Sequence, residues 1–221
     1  FKMHGWANGD VEEESSMIKA VAKRVGGRMK IMYDAACHLK TLTDALEVGK
    51  VCDEYNLYWY EDPYKDGGVS INGNRVLSEK LSTPILVGEH MRNFETSTDM
   101  LVNGASFFSR ADPDYDGGIT GSLKLAIASE GLGADCEIHS CGPAMRHLIS
   151  ALRNSNFYEV NLLHPNCNNA WSLPIYLDGY SDEIDCIDNN GNVTVSDKPG
   201  LGVLYDWDHV KKHTLHKVII D

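Results

Sequence analysis

The chain has 221 residues, 43% of them apolar and 24% charged, with 20 basic against 32 acidic side chains and a formal net charge of −12. That length suits one substantial core better than two domains, the composition excludes a disordered chain, and the acidic balance disfavours nucleic acid and anionic membrane as partners. No apolar run reaches the ~18 residues that cross a bilayer, the opening Phe1-Lys2-Met3-His4 lacks signal-peptide order, and six cysteines without a CxxC pair read as free thiols, so a soluble, cytoplasmic protein is expected.

Short apolar runs alternate with amphipathic stretches, the pattern of βα units around a parallel sheet. Seven strands are expected: one ending near His4, then 29–34, 57–61, 84–89, 106–112, 134–139 and 157–162. The first helix is expected over 11–25. Asp10 is its N-cap, Glu12, Glu13 and Glu14 suit the positive end of its dipole, and Gly26-Gly27 stops it. Further helices are expected over 41–55, 74–81, 94–103, 119–131 and 143–154. Beyond Leu162 the pattern changes to a Pro/Asn-rich segment over 164–169. Short β-like pieces follow at 184–187 and 193–195, joined by the hairpin turn Asn189-Asn190-Gly191. The expected organisation is seven βα units over 1–162 and a C-terminal tail over 163–221 that packs on them.

A residue able to do chemistry ends almost every expected strand: Lys2 and His4, Asp34, Glu61, Glu89, Asp112 and His139, with Glu159 early in the last. From Asp34 onward they are spaced by 27, 28, 23, 27 and 20 residues, close to one βα unit each. A closed (β/α) barrel gathers the side chains at the C-terminal ends of its strands into one pocket. Asp34, Glu61 and Glu89 would repel one another there without a counter-ion. A divalent cation resolves the repulsion, and carboxylate oxygens without Cys or His favour Mg²⁺, with Mn²⁺ as a substitute. Any one of these acids taken singly reads better as part of a solvated loop; three in register favour the metal. Asp112 and His139 end neighbouring strands, so the carboxylate can hold one imidazole nitrogen and leave the other as a general base. Lys2 and His4, two apart, share a strand face, with a frayed terminus as the alternative.

Five pieces of sequence then come together: Tyr60-Glu61-Asp62-Pro63 after a strand, Gly88-Glu89 after Pro84-Ile85-Leu86, Asp112 five residues before Gly117-Gly118-Ile119-Thr120, His139 ending its strand, and Pro199-Gly200-Leu201-Gly202. With these the chain resembles the enolase superfamily, in its mandelate racemase and muconate lactonizing branch, over nearly its whole length. The resemblance implies an α/β fold of the TIM-type (β/α) barrel. It also implies Mg²⁺ held by Asp34, Glu61 and Glu89, a base dyad of His139 and Asp112, and Glu159 hydrogen-bonding the substrate carboxylate or enediolate. Lys2 matches the first residue of the family's Lys-x-Lys pair.

The shared chemistry is abstraction of the proton alpha to a carboxylate. That proton is very weakly acidic, so the enediolate needs electrostatic help from the metal, Lys2 and Glu159. The chain departs from the family at His4, which stands in place of the second Lys, and at Ala36, where many members have Asn. His90 and Arg92 follow Glu89 and are candidates to contact the hydroxyls or a second carboxylate of a polar substrate, with a solvated loop as the alternative. Set against the family's eight strands and N-terminal capping domain, the barrel is expected to be incomplete at its N-terminus, lacking the first strand and the cap. A homo-oligomer is expected by the same resemblance.

The favoured reading is a metal-dependent lyase that dehydrates an acid sugar through an enediolate, with His139 removing the alpha proton and returning one to the leaving hydroxide. Lys2 and Tyr64 are the other candidates for that acid. The alternatives are a racemase or epimerase of a 2-hydroxy acid, using His139 opposite Lys2 or His4, and a catalytically inactive barrel fragment.

Overall fold

The computed structural model describes residues 1–65, 69–164, 166–167 and 173–219. Of the expected loop over 164–169, residues 165, 168 and 169 lie outside the described residues. The contacts divide the chain into two compact units: Phe1–His139 with Leu152–Asn156, and Ser140–Ala151 with Phe157–Asp221.

The first unit is a wound series of βα elements: β1 (Lys2–His4), α1 (Val11–Val25), β2 (Met32–Asp34), α2 (Leu42–Glu54), β3 (Tyr60–Glu61), α3 (Ile71–Lys80), β4 (Ile85–Val87), α4 (Phe94–Val102), β5 (Phe108–Ala111), α5 (Gly118–Gly131) and β6 (Cys136–Ile138). The strands form one six-stranded sheet in the order β1-β2-β3-β4-β5-β6, every pair parallel. Sequential parallel strands alternating with helices are the winding of a (β/α) barrel.

Local chemistry explains the boundaries. The Asp10 carboxylate accepts from the Glu12 and Glu13 amides at 3.0 Å, and Gly26 closes α1 in the left-handed conformation. Thr41 and Asp44 form a reciprocal capping box on α2. Ser70 caps α3 by accepting from Gly73, which starts that helix at Ile71 instead of the expected 74.

Residues on alternate faces of the strands part company, as the two-residue period requires. One set meets the helices: the Tyr33 hydroxyl donates to Glu14 of α1 at 2.9 Å, Tyr60 to the Ala45 carbonyl of α2 at 3.3 Å, and the Ser109 and Ser129 hydroxyls meet at 2.7 Å. Tyr33 and Tyr60 also stack at 5.5 Å. They join Met3, Ile85, Val87, Ile18, Val48 and Leu77 in the buried core. The other set is polar and converges with Lys2, Asp34, Glu61 and Arg110.

The expected strand over 157–162 is a correction: among the described residues the sheet ends at β6, with six strands and not seven. That stretch belongs to the second unit. There its side chains take local partners, Tyr158 meeting Asp182 at 2.5 Å and Glu159 the Ser140 amide at 2.6 Å. In the same unit are α6 (Pro143–Ala151) and α7 (Trp207–His213). Arg146 of α6 organises it, ion-paired to Asp182 at 2.6 Å and donating to the Thr194 carbonyl at 3.3 Å. The expected hairpin shrinks to one antiparallel bridge, Ile187 with Val193. Its turn forms, with Asp188 accepting from the Asn190 and Asn192 amides at 2.8 Å, but 184–186 coils into a 3₁₀ turn instead of extending.

Candidate functional site

Asp34 and Glu61 end β2 and β3 in direct register, and Glu89 follows β4 by two residues. Their carboxylate oxygens lie within 4.8 Å of one another, Asp34 and Glu61 buried and Glu89 half-buried. Gly88 makes this possible. At φ +146° it lets β4 approach β5 so closely that a Cβ would sit 2.6 Å from the Arg110 carbonyl oxygen, a position only glycine fills.

Among the described residues, Lys2 and Arg110 bring positive charge to Asp34 and Glu61. Lys2 Nζ is 3.4 Å from Asp34 Oδ2 and 3.1 Å from Glu61 Oε2. Arg110, 1% exposed, puts Nε 2.9 Å from Glu61 Oε1. The Trp59 indole donates to Glu61 Oε2 at 3.1 Å, and the Ala36 amide to Asp34 Oδ1 at 2.8 Å. The balance stays negative. An all-oxygen set of three carboxylates suits a hard divalent ion, magnesium above zinc.

His139 follows β6 and lies between two carboxylates. Nδ1 is 2.5 Å from Asp112 Oδ2, and Nε2 is 3.3 Å from Glu89 Oε1. Asp112 is itself fixed, its carboxylate accepting from the Asp114 amide at 2.7 Å while its own amide donates to Asp116 at 2.8 Å. Burial pushes the carboxyls of Asp114 and Asp116 above the usual range. Tyr115 stacks on the imidazole with centroids 6.5 Å apart, and the Arg92 guanidinium lies 3.9 Å over the same Tyr115 ring.

Among the residues expected from sequence, Lys2, Asp34, Glu61, Glu89, Asp112 and His139 come together. Arg92 reaches them through Tyr115. His90 places Nε2 3.5 Å from Asp62 Oδ2. His4 is exposed, its ring against the Gly5 carbonyl at 3.1 Å. Glu159 lies in the second unit.

Sequence reasoning missed Arg110, although an arginine two residues before Asp112 shares its strand face. It also passed over Asp62 and Cys37. Both sit at positive φ, 40° and 59°, as does Ala36 at 48°, so the turns after β2 and β3 hold non-glycine residues in a conformation that costs each about 1 kcal/mol or more. Burial and the neighbouring Glu61, Asp34 and Glu89 push the Asp62 carboxyl well above the usual carboxylate range.

A family model described as enolase C-terminal domain-like matches residues 1–209. L-talarate/galactarate dehydratase of Salmonella typhimurium is 26% identical over 190 residues, covering 86% of this chain and 44% of that protein. D-xylonate dehydratase of Haloferax volcanii is 25% identical over 211 residues, covering 93% and 48%. The chain spans about half the length of the curated relatives it matches. A solved structure of D-glucarate dehydratase from Agrobacterium tumefaciens, complexed with magnesium, is 27% identical with a TM-score of 0.83 over 96% of this chain and 55% of that one.

Proposed function

Because the chain belongs to the enolase C-terminal domain-like family, in its mandelate racemase/muconate lactonizing branch, and has the α/β fold of that TIM-type barrel, we propose that it abstracts the proton alpha to a carboxylate with Mg²⁺, dehydrating an acid sugar. The observation that carries this is one cluster: three carboxylates within 4.8 Å, with an imidazole nitrogen 3.3 Å from one of them and its other nitrogen on Asp112. The names of the relatives, dehydratases of talarate or galactarate, xylonate and glucarate, support the substrate class.

Asp34, Glu61 and Glu89 would hold Mg²⁺, which when bound supplies positive charge against the oxygens of the developing enediolate. Asp112 accepts from Nδ1–H of His139 and so leaves the Nε2 lone pair as the base. Lys2 presents its ammonium beside Asp34 and Glu61, where it can hold a substrate oxygen that gains charge as the proton leaves. The protonated His139 then returns its proton to the departing beta-hydroxyl on the same face. Arg92, braced on Tyr115, offers donors to a polyhydroxylated substrate.

The test is proton NMR of a panel of acid sugars in D₂O with Mg²⁺ and the protein. Loss of the beta-carbinol signal with growth of a 2-keto-3-deoxy product is the expected result. Deuterium entering the alpha position without loss of water would replace the dehydratase with an epimerase. No change in any sugar would leave the chain a barrel that does not turn over alone.

A further inference from the structure

A second set of ligand atoms converges on residues that the proposed reaction does not require. A sulfur of Cys37, a carboxylate oxygen of Asp62 and a ring nitrogen of His90 all lie within 4.8 Å of one another. Asp62 is 1% exposed, and among the described residues neither of its oxygens accepts a hydrogen bond. The His90 ring nitrogen Nε2 lies 3.5 Å from Asp62 Oδ2. A buried carboxylate without donors is costly, and a cation that its oxygens approach directly relieves that cost. The backbone fixes the group: the Cys37 amide donates to the Asp62 carbonyl at 2.9 Å, and His90 directly follows Glu89. Cys37 is half-buried and His90 exposed, so an ion can enter from solvent.

We propose that Cys37, Asp62 and His90 form a second metal site that takes a borderline-soft divalent cation of the zinc type. One sulfur, one nitrogen and one oxygen, with a fourth position left to water, match tetrahedral zinc, whereas magnesium prefers the all-oxygen set of Asp34, Glu61 and Glu89. On binding, the Cys37 S–H bond breaks and the thiolate pair forms the metal–sulfur bond; the thiol proton, together with the proton of an Asp62 carboxyl in its acid form, goes to solvent. Asp62 and neutral His90 donate lone pairs, and nothing is oxidised or reduced. This assignment stands apart from the reaction proposed above.

The experiment is a Co²⁺ and Zn²⁺ titration of the 221-residue chain in a large excess of Mg²⁺, read by absorption and by metal analysis after gel filtration. One retained equivalent is expected, with a thiolate-to-cobalt charge-transfer band. Cys37→Ser should remove the band. His90→Gln, at an exposed position that tolerates the change, should weaken Co²⁺ binding by at least about tenfold. Glu89→Gln should keep the band. A band that survives Cys37→Ser, that disappears in Glu89→Gln, or that excess Mg²⁺ displaces in the unaltered chain would overturn the proposal, placing the ion on another thiol or in the three-carboxylate cluster.

Discussion

His139 meets a carboxylate at each ring nitrogen, Asp112 at Nδ1 and Glu89 at Nε2. Replacing His139 by Asn keeps a similar shape and removes the base, so turnover of the dehydrated sugar should fall by about 10²–10⁴-fold while the circular dichroism spectrum stays unchanged. Substantial residual turnover would remove His139 from that role. Arg110 is held inside the same cluster. It is almost fully buried and faces Glu61 at 2.9 Å, so Arg110→Met leaves a buried carboxylate short of a cation and should cost about 3–5 kcal/mol in urea denaturation without Mg²⁺. Added Mg²⁺ should recover part of that loss. The acids and His139 were legible because each ends an apolar run. Arg110, Asp62 and Cys37 were not, because their importance lies in which side chains surround them, and spacing along the chain says nothing about that.

Elements show the same division. The six helices of the βα pattern are visible in the sequence, since capping residues and amphipathic spacing act over a few neighbours. Asp10, Thr41 and Asn93 cap α1, α2 and α4 within a residue of the expected starts. Strand length was less legible: the ladder at β2 covers only Met32–Asp34 where 29–34 was expected, and Met29 is left 51% exposed. A strand exists only where a neighbour supplies hydrogen bonds, which an apolar run cannot reveal. The stretch over 157–162 has strand-like residues and no place in the sheet for the same reason. Gly88 marks where two elements come closest. Gly88→Ala sets a Cβ 2.6 Å from the Arg110 carbonyl oxygen at a φ that alanine avoids, so it should lower the melting temperature and, by moving Glu89, abolish the Mg²⁺-dependent rise in melting that the unaltered chain should show. A melting curve indistinguishable from that of the unaltered chain would mean that β4 and β5 can separate freely.

Across the whole molecule, the cysteines report on burial. Cys136 is fully buried, and desolvation pushes its thiol up from 9.0 to about 12. The folded value exceeds the unfolded one, so this contribution to stability is complete below pH 9 and is lost as pH rises towards 12. Unfolding in urea should therefore become easier across that window, less steeply in Cys136→Ala. Iodoacetamide at neutral pH should label the exposed Cys167 and spare Cys136 and Cys52, as peptide mapping would show. Magnesium provides the corresponding test of the site: millimolar Mg²⁺ should raise the melting temperature, and Glu61→Gln should remove the rise, since an ion that binds only the folded chain stabilises it by mass action. The amino-acid sequence by itself determined the βα order, the helix caps, the family and the acids at the strand ends, because these depend on local propensity, periodicity and residue type. It took the folded structure to settle that the sheet of the described residues holds six strands, that Arg110 and Lys2 face the carboxylates, and that Cys37, Asp62 and His90 converge. Those facts depend on hydrogen-bond partners and close approaches between segments far apart in the chain.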